Sequence, residues 1–376
     1  MKVLHSISGL NLSSGGPSLC TWSLISGLRN AGIQAEIVTY TTGIIKDSIG
    51  HGDFVHGLPT PKYTRIGYST QFNKFLNNNN FELYHGNGLW QYPVHAIAVY
   101  ARKQKKPYII TPHGMLYPEG LKKSSYFKKI ALPLYQRKDL EHAAVIHATC
   151  NQELQYIRDL GFTNPVAVIP NSIDIKISSK TEGHTTGKKQ VGFIGRFAPI
   201  KNIENLIISW AETGKNIPDW ELVFIGNGDP SYVIKLELLA SKHQIENIVF
   251  TGFLQGEEKE KALQSLSFLV LPSKSENFGM VVPEALIREI PVIASKGTPW
   301  EELNTNNAGW WIEIGIEPLV GALKQAMQMS ENERQLMGLN GRKLVEENYS
   351  IESVAQKMIQ LYEWILNGGE KPEFVD

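Results

Sequence analysis

Two glutamates, Glu276 and Glu284, frame the strongest candidate site in the sequence, within residues 268–286 (FLVLPSKSENFGMVVPEAL). Backbone N–H groups at the start of a helix favour an anion such as a phosphate, and carboxylates accept hydrogen bonds from sugar hydroxyls. The pattern therefore predicts a site for a ligand that carries both groups. First-turn glutamates also stabilise a helix dipole without binding anything, so the pair alone leaves a structural interpretation open.

The elements around this pair are predicted from the local pattern. Residues 268–271 form an apolar run that ends at Pro272, which is typical of a buried strand in a parallel sheet. Pro283 suits the first position of a helix, because the N–H that it lacks would have no partner there. The backbone N–H groups of residues 279–282 are then predicted to face a ligand above the strand end.

A second group of candidates follows a strand predicted from Val191. Gly195 allows a close approach of the backbone, and Arg196 and Lys201 lie five positions apart in the turn before a helix. Arginine binds phosphate with two hydrogen bonds, and lysine acts as a point charge. Spacing alone leaves a surface role and a binding role equally open for both residues.

The N-terminal half places polar residues at the ends of predicted strands, where parallel sheets bind their ligands. His85, Asn87 and Trp90 lie in the sequence HGNGLW after one strand, and His113 follows the next strand. A single histidine is more often structural than catalytic, but two His-Gly pairs at successive strand ends favour a site. Gly16 ends a glycine loop before a predicted helix, which is a weaker signal for a phosphate cradle.

Strands and helices alternate along the chain, with strands predicted at residues 108–111 and 309–312 among others. This alternation predicts an α/β fold with parallel sheets covered on both faces. At 376 residues the chain exceeds what a single core usually holds. We predict a first domain over residues 1–172, a linker rich in Ser, Thr, Gly and Lys over 173–190, a second domain over 191–350, and a last helix within 351–376.

Composition narrows the class of protein. With 42% hydrophobic and 20% charged residues the chain is typical of a soluble protein. No apolar stretch approaches the ~18 residues of a membrane span, and the first residues lack the apolar core of a signal peptide. Cys20 and Cys150 provide neither a disulfide framework nor a metal-binding spacing. We therefore expect a cytoplasmic protein.

The net charge is zero, but residues 1–170 carry 17 Lys and Arg against 9 Asp and Glu. Residues 122–138 hold six cations and no carboxylate. Pro133 lies within this stretch, but the apolar spacing still predicts an amphipathic basic helix. A solvated helix face and a surface for an anionic membrane are equally good interpretations. The six cations are Lys122, Lys123, Lys128, Lys129, Arg137 and Lys138.

The segment of Glu276 and Glu284 resembles the E-x7-E signature of retaining glycosyltransferase family 4. Residues 291–294 (PVIA) and 297–303 (GTPWEEL) extend the resemblance, as do the two His-Gly motifs and the Gly-Arg…Lys-Asn motif of Arg196 and Lys201. Ser172 departs from the family, which has glycine there. The resemblance implies the GT-B fold, in which two Rossmann-like domains face each other across a cleft and a C-terminal helix crosses back to the first domain.

The resemblance also implies roles for single residues. Arg196 and Lys201 would neutralise the leaving diphosphate, Glu284 would hold the ribose and Glu276 the sugar. His113 would contact the transferred sugar, so we expect it to be catalytic together with Glu276, Arg196 and Lys201. His85, Asn87 and Trp90 would lie on the acceptor side. The expected donor-binding set is Gly16, Arg196, Lys201, Glu276, Asn277, Phe278, Gly279, Met280 and Glu284.

The implied reaction is the transfer of a sugar from a nucleotide-sugar, with a UDP-sugar favoured over a GDP-sugar. The acceptor would be a glycan or a lipid-linked saccharide in lipopolysaccharide, capsule or exopolysaccharide synthesis, and the enzyme could contact the inner face of the cytoplasmic membrane. No Asp-x-Asp motif occurs, so we expect neither a metal nor another cofactor, and no nucleic-acid partner. A nucleotide-sugar epimerase of the same fold and a non-catalytic nucleotide-sugar-binding protein are the alternatives.

Overall fold

The computed structural model describes residues 1–11, 16–41, 52–61, 66–122, 125–175 and 187–376. The chain divides into two compact units. The first unit consists of Met1–Asp174 and Tyr349–Asp376, and the second of Ile175–Asn348. Most of the predicted linker, residues 176–186, lies outside the described residues.

The first unit is built on a parallel sheet of seven strands in the order β3-β2-β1-β4-β5-β6-β7. Its central strands are buried on both faces, because helices cover each side and the strand sequences are largely apolar. The strands are β1 (Lys2–Ile7), β2 (Gln34–Thr41), β3 (Val55–Pro59), β4 (Leu83–Asn87), β5 (Tyr108–Thr111), β6 (Val145–Ala148) and β7 (Val166–Val168).

Helices connect these strands. In the basic segment, a π-helical turn at Leu132–Gln136, which contains Pro133, lies between two α-helices. The α-helices are α1 (Gly16–Asn30), α2 (Thr70–Asn78), α3 (Tyr92–Gln104), α4 (Pro118–Lys122), α5 (Ser125–Ala131), α6 (Arg137–Glu141) and α7 (Asn151–Asp159).

The second unit repeats the design with a parallel sheet of six strands in the order β10-β9-β8-β11-β12-β13. Its strands are β8 (Lys189–Ile194), β9 (Trp220–Ile225), β10 (Ile248–Gly252), β11 (Leu266–Leu271), β12 (Val292–Ser295) and β13 (Gly309–Ile312). Its helices are α8 (Ile203–Thr213), α9 (Pro230–Lys242), α10 (Gly256–Gln264), α11 (Val281–Leu286), α12 (Glu302–Thr305), α13 (Ile316–Gln328) and α14 (Glu331–Asn348).

The last helix, α15 (Ile351–Asn367), belongs to the first unit and packs beside α1 on one face of the seven-stranded sheet. Met358, Leu361 and Tyr362 are fully buried there. The opposite face is covered by a separate apolar cluster that includes residues of α2, α3 and α7. This layering explains why most strand residues are apolar on both sides of the sheet.

The predicted α/β fold is confirmed, and the predicted strands 108–111 and 309–312 match β5 and β13 at both ends. The elements that were not predicted include β3 and α2 of the first unit and α9 and α10 of the second. The basic helix predicted over residues 122–138 is confirmed in part, because residues 125–138 are helical but do not form one regular α-helix. Its described residues form short helices joined by the π-helical turn, because Pro133 interrupts regular α-helical hydrogen bonding.

The backbone turns that follow β8 and β9 lie against each other. Gly195 N–H donates to Ile225 O at 3.0 Å, and Phe197 N–H donates to Asn227 O at 2.7 Å. Gly226 has a φ of +141°, and a Cβ atom on it would lie 1.9 Å from Gly195 O. A side chain at position 226 is therefore excluded both by backbone conformation and by contact with the turn that precedes Arg196.

We expect Gly226→Ala to lower the free energy of unfolding of the second unit by more than the ~1–3 kcal/mol of backbone strain alone, since the added methyl also collides with Gly195 O. Gly321→Ala is the matched control, because Gly321 lies in α13 and its Cβ position is open. Alanine should stabilise that helix by ~0.5–1 kcal/mol. Urea unfolding measures both, and an equal midpoint for the two variants would contradict the close approach.

Candidate functional site

The loop between β11 and α11 carries the candidate residues of the second unit. Glu276 N–H donates to Gly297 O at 2.8 Å, and Ser273 Oγ donates to Glu276 Oε1 at 2.7 Å. The loop is also joined to the turn after β8, because Lys274 N–H donates to Ile200 O at 2.8 Å. The structure therefore brings the segments of Glu276 and Lys201 together at the carboxyl ends of neighbouring strands.

Lys201 and Glu276 form an ion pair between these two segments. Lys201 ends a short 3₁₀-helix, Pro199–Lys201, and its Nζ contacts Glu276 Oε1. The side chains are 18% and 13% exposed, so the pair is shielded from solvent but remains accessible. Arg196 follows Gly195 on the same strand end and is exposed. An anion bound at this edge would therefore lie near two cations, Arg196 and Lys201, and one carboxylate, Glu276.

Aromatic packing holds the Gly279 turn. Trp300 Nε1 donates to Phe278 O at 2.5 Å, and the two rings lie 5.1 Å apart. Gly279 has a φ of +77°, which favours glycine, and a Cβ there would lie 3.0 Å from Leu271 Cδ2. The predicted donor residues Asn277 and Met280 flank this turn. Its backbone conformation is therefore set by glycine and by the buried Trp300.

Glu284 lies in α11 and forms an ion pair with Lys259, whose Nζ is 2.7 Å from Glu284 Oε2. Lys259 belongs to α10 and was not among the predicted site residues. Nothing in its local sequence distinguishes it from the other charged residues of α10, because its contact depends on how α10 packs. A carboxylate has about four acceptor positions, so Glu284 retains the capacity to accept hydrogen bonds from two hydroxyls.

The predicted cradle of backbone N–H groups needs correction. The helix α11 has six residues and begins at Val281, so Pro283 occupies its third position rather than its first. Val282 N–H donates to Gly279 O at 2.9 Å, and Glu284 N–H donates to Met280 O at 3.2 Å. The prediction that the Val282 N–H faces a ligand is wrong, because the turn itself uses that donor.

In the first unit, His113 and Gly114 form an unusual turn after β5. Their φ angles are +53° and +74°, so both residues are in the left-handed region. The fully buried Glu153 of α7 holds this turn, since its carboxylate accepts Gly114 N–H at 2.5 Å and Thr149 N–H at 2.8 Å. Burial raises the pKa of Glu153, and these donors oppose the rise. Sequence reasoning did not identify Glu153.

The His113 ring is mostly buried and neutral at pH 7. Burial, with a contribution from His147, lowers the pKa of His113 to about 3. Its Nε2 has no hydrogen-bond partner among the described residues. The ring lines a cavity of about 10 Å³, the size of a single water, together with Asn87, His147 and Ser172. Ser172, which departs from the family pattern, thus adds a hydroxyl to the wall beside His113.

A second cavity, of about 90 Å³, lies at the ends of β1 and β4. Asn87 lines both this cavity and the smaller one beside His113. Ser8, Ser18 and Gln91 provide further polar groups at the second cavity. The predicted donor residue Gly16 is the first residue of α1 and is exposed, and it is not among the residues that line this cavity. Among the predicted acceptor-side residues, Asn87 therefore lines both of these cavities.

The other two acceptor-side residues do not line these cavities. His85 is fully buried, and both its ring nitrogens are hydrogen bonded to Tyr362 and Thr111. Trp90 is 6% exposed and packs in the apolar cluster. His85 and Trp90 were predicted on the acceptor side, and the structure places both side chains in the core, where histidine and tryptophan at strand ends can also pack.

The π-helical turn holds the backbone of Trp90, whose φ is +69°. Trp90 N–H donates to Gln136 Oε1 at 2.8 Å, and Tyr135 Oη donates to Trp90 O at 3.0 Å. Lys128 Nζ lies 5.6 Å from the centre of the Trp90 ring. The basic segment therefore supports the loop that follows Asn87.

Two family models together match most of the chain. Residues 15–172 match the glycosyl transferase 4-like domain, and residues 174–344 match the glycosyl transferases group 1. An uncharacterized glycosyltransferase of Methanocaldococcus jannaschii is 24% identical over 374 residues, which cover 93% of this chain and 94% of that protein. A GDP-mannose-dependent alpha-mannosyltransferase of Mycolicibacterium smegmatis is 32% identical over 42% of this chain and 39% of its own length.

Solved structures show the same fold. HepE of Anabaena, determined in complex with UDP and glucose, superposes with a TM-score of 0.76 and 17% identity, covering 96% of this chain and 99% of that chain. WaaG, a glycosyltransferase involved in lipopolysaccharide biosynthesis, superposes with a TM-score of 0.70 and 15% identity, covering 98% and 100%. With its two parallel sheets and both halves matched, this chain belongs to the family 4 glycosyltransferases of GT-B fold.

Proposed function

We propose that this glycosyltransferase binds the diphosphate of a UDP-sugar at Arg196 and Lys201 and transfers the sugar with retention of configuration. The observation that carries this proposal is the Lys201–Glu276 pair, which places a cation and a carboxylate side by side at adjoining strand ends. A diphosphate leaving group needs the first, and the sugar hydroxyls need the second. UDP is preferred because HepE was solved with UDP and UDP-glucose.

Charge sets the roles of the remaining residues. Lys201 is shared between Glu276 and the developing diphosphate charge, and the exposed Arg196 supplies a second, bidentate contact. Glu284, oriented by Lys259, accepts the ribose hydroxyls. In a retaining reaction without an enzyme nucleophile, the leaving phosphate accepts the proton of the acceptor hydroxyl. The two cations stabilise that phosphate, so the proposal assigns no step to a metal.

We expect UDP to raise the unfolding temperature of the wild type in the presence of EDTA, because a ligand that binds only the folded state stabilises it by mass action. At about 100 times its Kd the ligand contributes ~2.7 kcal/mol. Lys201→Ala and Glu284→Ala should lose this shift relative to their own ligand-free forms. Lys324→Ala, on the exposed face of α13, is the control that keeps it.

The same measurement with GDP and ADP identifies the nucleotide of the donor. If GDP raises the unfolding temperature and UDP does not, the donor is a GDP-sugar and the assigned diphosphate site still stands. A UDP shift that survives in Lys201→Ala would contradict the assigned diphosphate site. A UDP shift that disappears in EDTA and returns with Mg²⁺ would contradict the metal-independent mechanism.

We also propose that the first unit docks on an anionic membrane to reach a lipid-linked acceptor of bacterial surface-polysaccharide synthesis. Tyr126 and Leu134 are 80% and 74% exposed, and Ile130 is also exposed. Lys122, Lys129 and Lys138, from the same segment of the sequence, are also exposed. Aromatic and aliphatic side chains with lysines suit an interface between lipid headgroups and acyl chains. None of the described helices is both long and apolar enough to cross a membrane.

The remaining cations of the basic segment contribute less to this surface. Arg137 donates to Glu141 at 2.9 Å and to Leu160 O at 3.0 Å, and Lys128 Nζ donates to Gly120 O. Lys123 lies outside the described residues. The proposed docking surface therefore consists of Tyr126, Ile130, Leu134, Lys122, Lys129 and Lys138.

We expect the protein to co-sediment with vesicles of phosphatidylcholine and phosphatidylglycerol more than with phosphatidylcholine alone. Lys129→Ala and Lys138→Ala should each weaken partitioning by roughly fivefold, about 1 kcal/mol per lysine near the surface, and salt should screen the effect.

The apolar part of the surface is tested by the double change Tyr126→Ala and Leu134→Ala, which should also reduce binding. Ile234→Ala with Leu238→Ala is the matched control, because these side chains of α9 are 55% and 65% exposed in the second unit. Equal binding to both kinds of vesicle, or an equal loss in the control, would contradict docking through this surface.

A further inference from the structure

A row of buried polar side chains crosses the sheet of the first unit on the face covered by α1 and α15. Each is less than 5% exposed and lies beside the apolar cluster that α1 and α15 cover. Burying so many polar groups is unfavourable unless every one is hydrogen bonded. The members are His5 of β1, His85 of β4, Thr111 of β5, His147 of β6 and Tyr362 of α15.

The hydrogen bonds form one continuous chain. Tyr362 Oη lies 2.8 Å from His85 Nδ1 and 3.2 Å from His5 Nε2. On the other side of the imidazole, His85 Nε2 lies 2.7 Å from Thr111 Oγ1, which is 2.8 Å from His147 Nδ1. Tyr362 therefore joins two strands that are far from it in sequence.

One end of this hydrogen-bond chain contacts a group that can only accept, and the other end contacts a group that can only donate. His147 Nε2 lies 2.8 Å from the backbone oxygen of Ile169, which can only accept. At the other end, His5 Nδ1 lies 3.4 Å from Asn87 Nδ2, which can only donate. An acceptor at one end and a donor at the other allow a single direction for all the hydrogen bonds between them.

The rings are uncharged at neutral pH, which this direction requires. Burial lowers the pKa of His5 to about 3 and that of His147 to about 4. Burial also lowers the pKa of His85 well below its ordinary value, and the neighbouring His5, His147 and His113 add to the decrease. A neutral ring has one donor and one acceptor nitrogen.

The protons can then be assigned one after another. His147 Nε2–H donates to Ile169 O, so its Nδ1 accepts from the Thr111 hydroxyl. Thr111 in turn accepts from His85 Nε2–H, and His85 Nδ1 accepts from Tyr362 Oη–H.

At the far end, the oxygen of Tyr362 accepts from His5 Nε2–H, and His5 Nδ1 accepts from Asn87. All three histidines are therefore in the Nε2–H form.

We propose that Tyr362 is a positioning residue whose hydroxyl completes this chain and thereby fixes the orientation of the Asn87 amide at the two cavities. Asn87 Nδ2 also faces Ser6 O at 3.3 Å and His85 O at 3.4 Å, so all its neighbours on this side are acceptors. The NH₂ group must point into the sheet, and Oδ1 is then presented on the cavity side of the amide.

This orientation determines which chemical group Asn87 can bind. Amide oxygen accepts hydrogen bonds, so Asn87 selects a donor such as a sugar or polyol hydroxyl and disfavours a carboxylate or phosphate. The assignment of a hydroxyl of the sugar-accepting substrate to the Asn87 cavity rests on the proposed function. The hydrogen-bond chain itself does not, because it is defined within the first unit.

The experiment is ¹⁵N NMR of protein labelled at histidine and asparagine, recorded at pH 7 on wild type, Tyr362→Phe and Tyr84→Phe. Tyr84 is the matched control, since its side chain is equally buried but lies in the apolar cluster on the opposite face of the sheet. Substitution of each histidine by glutamine assigns its ring. The wild type should show His5, His85 and His147 as neutral Nε2–H rings.

In Tyr362→Phe, we expect the His85 Nδ1 signal to move downfield, because it loses its donor, and the Asn87 side-chain amide signals to shift or broaden. Tyr84→Phe should leave all of these signals in place. An Nδ1–H or cationic ring in the wild type would overturn the proposal. So would a Tyr362→Phe spectrum in which the His85 and Asn87 signals match those of Tyr84→Phe.

Asn87→Asp is a second variant that does not depend on Tyr362. An Asp carboxylate would face the two backbone oxygens and His5 Nδ1, so we expect His5 to acquire a proton on Nδ1. An unchanged His5 ring would contradict the direction of the chain. The UDP thermal shift is measured on the same samples. Its absence in wild type would contradict the proposed donor site, whereas the ring assignments would still decide the role of Tyr362.

Discussion

Parallel strand pairing is the constraint on which the rest of this structure depends. In both described sheets every neighbouring pair of strands is parallel, so helices must cover both faces and the strands are mostly apolar. The buried histidines of the first sheet are the exception, and they are hydrogen bonded. All carboxyl ends lie along one edge of each sheet, where polar side chains can reach a ligand. The Lys201–Glu276 pair and the His113 turn both follow from this arrangement, each within its own unit.

Ion pairing compensates the charges of the proposed donor site without using all its hydrogen-bond acceptors. Glu276 and Glu284 each contact one lysine, so their charges are compensated while their remaining lone pairs can still accept hydrogen bonds. Partly exposed pairs of this kind contribute little net stability. Their value lies in orientation, because a carboxylate held by Lys201 or Lys259 needs less ordering when a sugar or ribose binds.

Different supports hold the loops of the first unit. Consecutive left-handed residues at His113 and Gly114 carry backbone strain, of order 1–3 kcal/mol for the histidine, and the buried Glu153 offsets it by accepting Gly114 N–H. Trp90 is likewise left-handed and is held at both its N–H and its carbonyl by the π-helical turn. That turn also belongs to the proposed docking segment, so the loop that follows Asn87 and the proposed docking residues share one structural support.

The sequence by itself determined the elements whose pattern is local. Strands such as β5 and β13 are short apolar runs with clear boundaries, and the Glu276–Glu284 spacing with its flanking motifs identified the family. The exposed edge strand β3 has no such pattern, which explains why it was not predicted. Tertiary structure alone decided the partners of polar groups. Lys259 with Glu284, Glu153 with Gly114, and Tyr362 with His85, which are 277 residues apart, meet because whole helices pack. The geometry of a buried hydrogen bond depends on that packing and leaves no periodic trace in the sequence.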